Sequence, residues 1–307
     1  MNEHRLAQAT VVATFLLLVV GGLVHSTGSS LSCPDWPLCY GQFFPAMEGG
    51  VLFEHGHRLV ALAVVGLTGS LAVAVFRRRR GTAVRALASA SILLVLVQAS
   101  LGAVTVLWKL PVLVSSAHLA TSMAFFLVVV ALSHRLAPAP ASAAAAPGPV
   151  RLLAGLAALG VYLQIVLGAL VRHSGSGLAC GTEAVLCQGV VWPLGGPAEL
   201  QMLHRMAGVV AALLATAAGL LALRHGGTRA RRAAALAPLL ALLQLGLGAW
   251  TVWSLIAVPV VSLHLAVGAL LLADTLSLFL ALGPARTEAT ADRTDPAAGL
   301  VPARSDA

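Results

Sequence analysis

Long apolar segments separated by short polar ones run along most of the chain. A hydrocarbon core about 30 Å thick requires roughly 20 apolar residues per helix. Residues 137–149 are rich in Ala and Pro and predict a linker, and the polar residues 284–307 predict a disordered cytoplasmic tail. Eight segments are long enough to span a membrane: 7–25, 54–76, 84–107, 112–133, 150–171, 200–223, 232–253 and 258–282. The pattern predicts an all-α polytopic membrane protein with eight transmembrane helices.

Composition and the positions of the basic residues support this prediction and orient the helices. Hydrophobic residues make up 59% of the chain and charged residues 10%. The net charge of +8 comes from basic clusters between apolar segments, such as Arg77–Arg80, and does not indicate a nucleic-acid surface. Residues 26–53 and 174–199 contain no Lys or Arg. Under the positive-inside rule, these two loops lie outside a bacterial cell membrane and both termini are cytoplasmic.

The second half of the chain repeats the first. The interval from Cys33 to Cys180 is 147 residues, and so is the interval from His57 to His204. Gln98 and Gln244 lie 146 residues apart and share the pattern Gln-x-x-x-Gly-Ala-x-Thr. We therefore expect two pseudo-symmetric four-helix bundles, residues 1–136 and 150–283, in the same topology because four spans restore the starting side.

Four of the ten histidines lie near the outer ends of even-numbered spans and recur at the repeat interval. They are His57, His118, His204 and His264. Two imidazoles facing each other across a helical bundle can hold a haem iron from both sides. Zinc or copper is less attractive because a closed site for these metals needs more ligands. A purely structural, hydrogen-bonded role is the alternative for each histidine.

Charged residues beside these histidines differ between the halves. Glu54 lies three residues before His57, whereas its repeat counterpart is Gln201, which cannot ionise. The amino-terminal half is therefore the candidate reaction site, with Glu54 moving a proton or stabilising positive charge. Arg58 and Arg205 directly follow their histidines, and we interpret them as partners of haem propionates or as snorkelling interfacial residues. The sequence suggests no role for Asp274.

The four cysteines lie in the two outer loops. Paired thiols outside a bacterial membrane tend to oxidise. Cys33 with Cys39 and Cys180 with Cys187 are therefore expected to form two disulfides within their loops, with free thiols or metal ligands as the alternatives.

The chain resembles the haem A synthase family in three features. These are the segment Thr27–Gly41 with its Cys-Pro-Asp-Trp-Pro-Leu-Cys stretch, the motif Glu54-x-x-His57-Arg58 and the repeated histidines. The resemblance covers about residues 7–282. It implies oxidation of the C8 methyl of haem O to a formyl group by successive hydroxylations, yielding haem A.

The resemblance also implies roles for individual residues. His57 and His118 would serve the substrate haem, and His204 and His264 would hold a haem b. Glu54 would be functionally important. Cys33 and Cys39 would form a disulfide that acts in redox chemistry or haem transfer, whereas only some family members have the second pair. Implied partners are a haem O synthase and a membrane electron donor, and the sequence does not choose between a monomer and a homo-oligomer.

Two other function classes remain open at this stage. A di-haem membrane cytochrome passing electrons to or from quinone would use the same four histidines without needing Glu54. A transporter built from repeats would line a substrate path with these polar residues and bind no haem.

Overall fold

The computed structural model describes residues 2–138, 146–225 and 227–283. Within these ranges the secondary structure is eight α-helices and one 3₁₀ turn, Ser176–Leu178. The helices are α1 Glu3–Ser26, α2 Gly49–Arg77, α3 Thr82–Leu107, α4 Val112–Leu136, α5 Gly148–His173, α6 Gly196–His225, α7 Thr228–Trp253 and α8 Val258–Ala281. This confirms the predicted all-α fold.

All eight helices are long and apolar enough to cross a membrane. Many of their large apolar side chains point away from the protein, including Leu62, Leu93, Leu213 and Leu242. Such residues would be unfavourable in water, but they match the hydrocarbon that surrounds a membrane helix. The chain is therefore a multi-pass membrane protein.

The helices contact one another as two bundles that share a central junction. Helices α1 to α4 pack in a ring in which α1 contacts α4, and α5 to α8 pack in the same way. The junction between them consists of contacts of α4 with α5, α1 with α8 and α4 with α8. The assignment of different functions to the two halves stays a prediction.

Small side chains allow close helix packing in the carboxy-terminal half. Ala154 and Ala157 of α5 and Ala211 and Ala215 of α6 are all buried, and a β-carbon added at Gly160 of α5 would lie 4.0 Å from Ala211. A β-carbon added at Gly219 of α6 would lie 2.6 Å from the carbonyl oxygen of Ala234 in α7. In a membrane, where hydrophobicity does not drive helices together, such close contact of small residues stabilises their association.

The helices begin and end at somewhat different residues than the sequence predicted, but their number and order are the same. Helix α5 begins at Gly148, inside the predicted linker, because Pro149 is well tolerated in the first turn of a helix. The rest of the linker lies mostly outside the described residues, and the predicted disordered tail 284–307 lies outside them entirely.

An ion pair joins the amino-terminal end of α1 to the loop after α2. The Glu3 side chain is buried, and its carboxylate accepts hydrogen bonds from Nε and Nη2 of Arg80, at 3.1 and 2.5 Å from Oε2. Arg78 lies 3.6 Å from the same oxygen. The hydrogen bond to Glu3 raises the pKa of Arg80 further above its ordinary value.

We expect Glu3→Gln to destabilise the protein by roughly 1–3 kcal/mol, because it removes charge-assisted hydrogen bonds to a buried carboxylate. Thermal unfolding of the detergent-purified protein measures this effect. Arg5→Gln is the matched control, since Arg5 is exposed on the same helical turn. Equal stability of the two variants would contradict the prediction.

Candidate functional site

Each of the four predicted histidines lies against a glycine of the preceding helix. The ring carbon Cε1 would be in tight contact with a β-carbon added at that glycine. The pairs and these distances are Gly21–His57 at 3.0 Å, Gly102–His118 at 3.3 Å, Gly168–His204 at 2.8 Å and Gly248–His264 at 3.3 Å. Glycine thus gives each ring room to lie between two helices.

The histidines form one pair in each half. His57 lies within electrostatic range of His118, and His204 lies within electrostatic range of His264. All four side chains are only half-buried, so each ring keeps an uncovered surface. The Nδ1 atoms of His57, His118 and His264 are buried without a hydrogen-bond partner. The pairing of these histidines around a haem iron stays a prediction.

His204 differs from the other three because a side chain contacts its ring nitrogen. The amide nitrogen of Gln164 in α5 lies 2.9 Å from Nδ1 of His204 and 2.7 Å from the carbonyl oxygen of the same residue. The repeat counterpart of Gln164 is Leu17, which cannot make this contact. Sequence reasoning missed Gln164, although a polar residue inside an apolar span was the available signal.

Glu54 connects α2 to the first outer loop. Its carboxylate accepts a hydrogen bond from the backbone N–H of Cys33 at 2.8 Å and from Nη2 of Arg58 at 2.6 Å. The Arg58 guanidinium also donates to the backbone carbonyls of Asp35, at 2.7 Å, and Leu38. The buried carboxylate and the arginine therefore hold the loop on the first turns of α2.

In the second half the neutral amide of Gln201 takes the place of the Glu54 carboxylate. The side-chain oxygen of Gln201 accepts from the backbone N–H of Cys180 at 2.7 Å, and its nitrogen donates to the Gly177 carbonyl. Nη1 of Arg205 donates to the Leu186 carbonyl at 3.2 Å, while its Nη2 is buried without a partner. Thus the loop contact is kept in both halves, and the ion pair of Glu54 with Arg58 has no equivalent at Gln201 and Arg205.

Both predicted disulfides are present, Cys33–Cys39 and Cys180–Cys187. Asp35 supports the first loop by accepting hydrogen bonds from the backbone N–H groups of Tyr40 and Gly41, at 2.7 and 2.8 Å. These bonds, chiefly that of Gly41, lower the pKa of the Asp35 carboxyl. Asp35 is therefore the part of the motif that shapes the turn.

His55 lies next to the first disulfide, which the sequence did not reveal. Among the described residues, His55, Cys33 and Cys39 form the group with ligand atoms close enough to share a metal ion, all within 4.8 Å. Because the two sulfur atoms are bonded to each other, they do not serve as thiolate ligands in this state. The nearby imidazole nevertheless distinguishes this loop from its repeat.

A polar cluster crosses the junction between the halves. The rings of His25 in α1 and His173 in α5 meet edge to face, with centroids 4.8 Å apart. Nδ1 of His173 lies 3.1 Å from the hydroxyl of Ser116, and Arg172 donates to the hydroxyl of Ser26 at 2.7 Å. Both histidines lie in the last turns of their helices, and the sequence did not indicate that they touch.

The hydrogen bond from Cys33 predicts different behaviour for two Glu54 variants. Glu54→Gln keeps an acceptor for the Cys33 amide, as Gln201 does in the repeat, whereas Glu54→Ala does not. Because hydrogen bonds to charged groups contribute about 1.5–3 kcal/mol, we expect amides of the first loop to exchange roughly tenfold faster in Glu54→Ala. Hydrogen exchange with mass spectrometry measures this difference.

Glu48→Ala is the control, because Glu48 is exposed and makes no side-chain cap to α2. Unchanged exchange in Glu54→Ala would mean that the carboxylate does not hold the loop.

The chain matches the family COX15-CtaA, described as cytochrome oxidase assembly protein, over residues 4–55 and 48–276. A protein of Symbiobacterium thermophilum named haem A synthase is 37% identical over 229 residues, covering 70% of this chain and 74% of the relative. Proteins with the same name from Bacillus pumilus and Shouchella clausii are 31% and 34% identical, covering 66% and 68% of this chain and 69% and 72% of their own lengths.

The family match extends through all eight membrane helices and includes both histidine pairs and both outer loops. The relatives share about a third of their residues with the chain over most of its length. The chain therefore belongs to the COX15-CtaA family of cytochrome oxidase assembly proteins.

Proposed function

We propose that this protein is a haem A synthase, which oxidises the C8 methyl of haem O to a formyl group by successive hydroxylations. The observation that carries the proposal is the difference between two otherwise matched histidine sites. Only the amino-terminal pair has a carboxylate, Glu54, three residues from a histidine, and its counterpart is Gln201. The names of the similar proteins support the same activity.

The donor set and the local packing fit two haems. Each half offers two imidazoles, which are suitable axial ligands for haem iron. The glycines behind the rings leave space that any side chain would reduce. In the proposal His57 and His118 bind the substrate haem, and His204 and His264 hold a haem b, which when bound supplies one-electron transfer.

Gln164 distinguishes the second histidine site from the first. Its amide nitrogen contacts Nδ1 of His204, whereas the ring of His57 has no such side chain at Leu17. In this arrangement Nδ1 accepts the hydrogen bond, and the neutral ring carries its proton on Nε2. For Nε2 of His204 to bind iron, the Gln164 amide would have to turn so that its oxygen accepts a proton from Nδ1.

Glu54 is proposed to accept a proton or to stabilise positive charge that develops on the substrate. Its carboxylate is held in place by Arg58 and the Cys33 amide. A preoriented negative charge needs no reorganisation during the reaction. Arg58 and Arg205 stay candidates for pairing with propionates, and Nη2 of Arg205 is the better-placed donor because it has no protein partner.

The proposed function also implies a membrane location and partner proteins. We infer that the protein lies in the bacterial cell membrane with both termini in the cytoplasm, because the two long outer loops contain no Lys or Arg. A haem O synthase would supply the substrate, and a membrane electron donor would exchange electrons with the haem b.

The Glu54→Gln variant tests the catalytic assignment. We expect it to retain bound haem and an intact first loop but to convert haem O at least about 100-fold more slowly, in the range for loss of a general acid or base. Extraction and chromatographic identification of haems O and A measure conversion. Glu48→Gln is the control.

Haem A production by Glu54→Gln at the parental rate would exclude Glu54 as the catalytic carboxylate. Parental protein that binds haem but makes no haem A would instead favour a di-haem cytochrome that only carries electrons. Purified parental protein without a Soret band would exclude both haem-based functions and leave the transporter.

The glycine contacts predict which helix substitutions disturb haem binding. Gly168→Ala places a β-carbon 2.8 Å from Cε1 of His204, whereas a β-carbon at Gly246 meets nothing within 4 Å. Because alanine favours a helix over glycine by about 1 kcal/mol, neither change weakens the helix itself. We expect Gly168→Ala to lose most of its haem b and Gly246→Ala to keep it, measured as haem per protein. Equal haem content would contradict the proposed site.

A further inference from the structure

A glutamine lies one helical turn before the glycine that faces three of the four histidine rings. Each glutamine precedes its glycine by four residues, which places both on one face of the helix. The pairs are Gln98 with Gly102, Gln164 with Gly168 and Gln244 with Gly248. The fourth position is Leu17, four residues before Gly21, the glycine that faces His57. The one apolar member of the set therefore belongs to the site beside Glu54.

The amides of Gln164 and Gln244 lie in equivalent places beside the helices of their histidines. A β-carbon added at Gly208 would lie 2.9 Å from the Gln164 amide nitrogen, and one added at Gly268 would lie 3.1 Å from that of Gln244. Both glycines follow a histidine by four residues. Glycine thus leaves room for an amide one turn beyond the ring.

Gln98 reaches the corresponding place next to His118. Its amide nitrogen donates to the hydroxyl of Ser122, which lies four residues after His118 and itself donates to the His118 carbonyl at 2.8 Å. The backbone carbonyl of Gln98 lies within interaction range of the His118 ring, as that of Gln244 does for His264. Three of the four histidines therefore have a glutamine beside them.

Each of these glutamines has a polar atom without a partner. The side-chain oxygens of Gln98, Gln164 and Gln244 are buried and accept no hydrogen bond. A neutral imidazole that binds a metal through Nε2 carries its proton on Nδ1, and this N–H needs an acceptor. An amide that turns its oxygen toward the ring supplies one. Because buried polar groups are normally paired, three unpaired acceptors at equivalent places point to donors that appear when the histidines bind a metal.

The ring of His57 has no comparable neighbour. Its Nδ1 is buried without a partner, and the side chain of Leu17 has no acceptor. Leu17 packs against the hydrophobic core. The residue one turn beyond His57 is Ala61, whose side chain has no polar atom either. Among the four histidines, His57 is therefore the one that no side chain on the preceding helix can fix by a hydrogen bond.

We propose that the residue one turn before each ring-facing glycine determines how firmly the histidine is held. A glutamine at this place is a positioning residue, which accepts the Nδ1 proton and fixes the ring, whereas Leu17 leaves the His57 ring free to turn. The inference rests on the proposed function, in which all four histidines hold haem. It makes His57 the displaceable ligand and the other three histidines fixed ligands.

The substrate site consequently opens on one side. Two imidazoles occupy both axial positions of a haem iron, so a small molecule enters only where one ring turns aside. His57 is that ring, and Glu54 lies three residues before it on nearly the same face of α2. Glu54 is therefore on the side that opens, while Gln98 keeps His118 in place. Two fixed rings in the second half suit a group that passes electrons and binds no reactant.

Carbon monoxide tests the proposal, because it binds reduced haem iron only at an open axial position. The experiment uses the full-length, detergent-purified protein with haem O added to two haems per chain. We expect one haem per parental chain to bind carbon monoxide and the other to stay inert. Leu17→Gln should slow this binding about tenfold, the lower end of the effect of a hydrogen-bonding neighbour on metal ligation. Absorbance after rapid mixing measures the rate.

Gln164→Leu is the reciprocal change and should allow a second haem per chain to bind carbon monoxide. Gln164→Glu should behave like the parent, because a carboxylate oxygen also accepts the Nδ1 proton. Leu16→Gln is the control for a new amide in α1, since Leu16 is exposed beside Leu17. It should leave the rate unchanged.

An unchanged rate in Leu17→Gln, or equal slowing in Leu16→Gln, would overturn the proposal. Two parental haems that behave alike would also overturn it, as would a second haem that stays inert in Gln164→Leu. If Leu17→Gln holds no haem in the first half, the two Gln164 variants decide. Parental protein that binds no haem would contradict the proposed function itself, whereas bound haem with no effect of any variant rejects only the positioning role.

Discussion

The absence of a side chain at four helix positions is the constraint on which the histidine sites depend. Each of the four histidine rings occupies space that a β-carbon on the neighbouring helix would reduce. Because the rings are wedged between paired helices, their direction is set by the backbone and not by flexible loops. Sites held on packed helices are more rigid than sites held on loops, and this suits groups that must face each other across a bundle.

Because the second half repeats the first, corresponding positions of the two halves can be compared directly. Both halves keep the glycines, the histidines, the disulfides and a polar side chain that binds the backbone of the first cysteine in each loop. Some of the positions that differ have chemical consequences, among them Glu54 against Gln201 and His55 against Met202. The first half has the ionisable groups, and the second half has the amide of Gln164 that restrains His204. These differences agree with the proposed division, in which the first half reacts and the second half holds a haem b.

The sequence was sufficient for the helices, the repeat and the disulfides, because hydropathy and fixed intervals depend on the order of residues alone. The same intervals predict the histidine pairs, and this pairing stays a prediction. The contacts of Glu54 did not, because its partner Cys33 lies 21 residues earlier in a loop whose path is irregular. The sequence suggested no role for His55, and only the folded loop shows that it meets the disulfide. Gln164 was missed because a single amide inside an apolar span has no characteristic spacing.

The cluster at the junction has a consequence for the independence of the two halves. Ser116 of α4 contacts His173 of α5 and lies two residues before His118, while Arg172 reaches across to Ser26 of α1. These hydrogen bonds connect the outer ends of the two bundles. A change in these contacts would shift His118 and the neighbouring half together, so the sequence of one half constrains the sequence of the other.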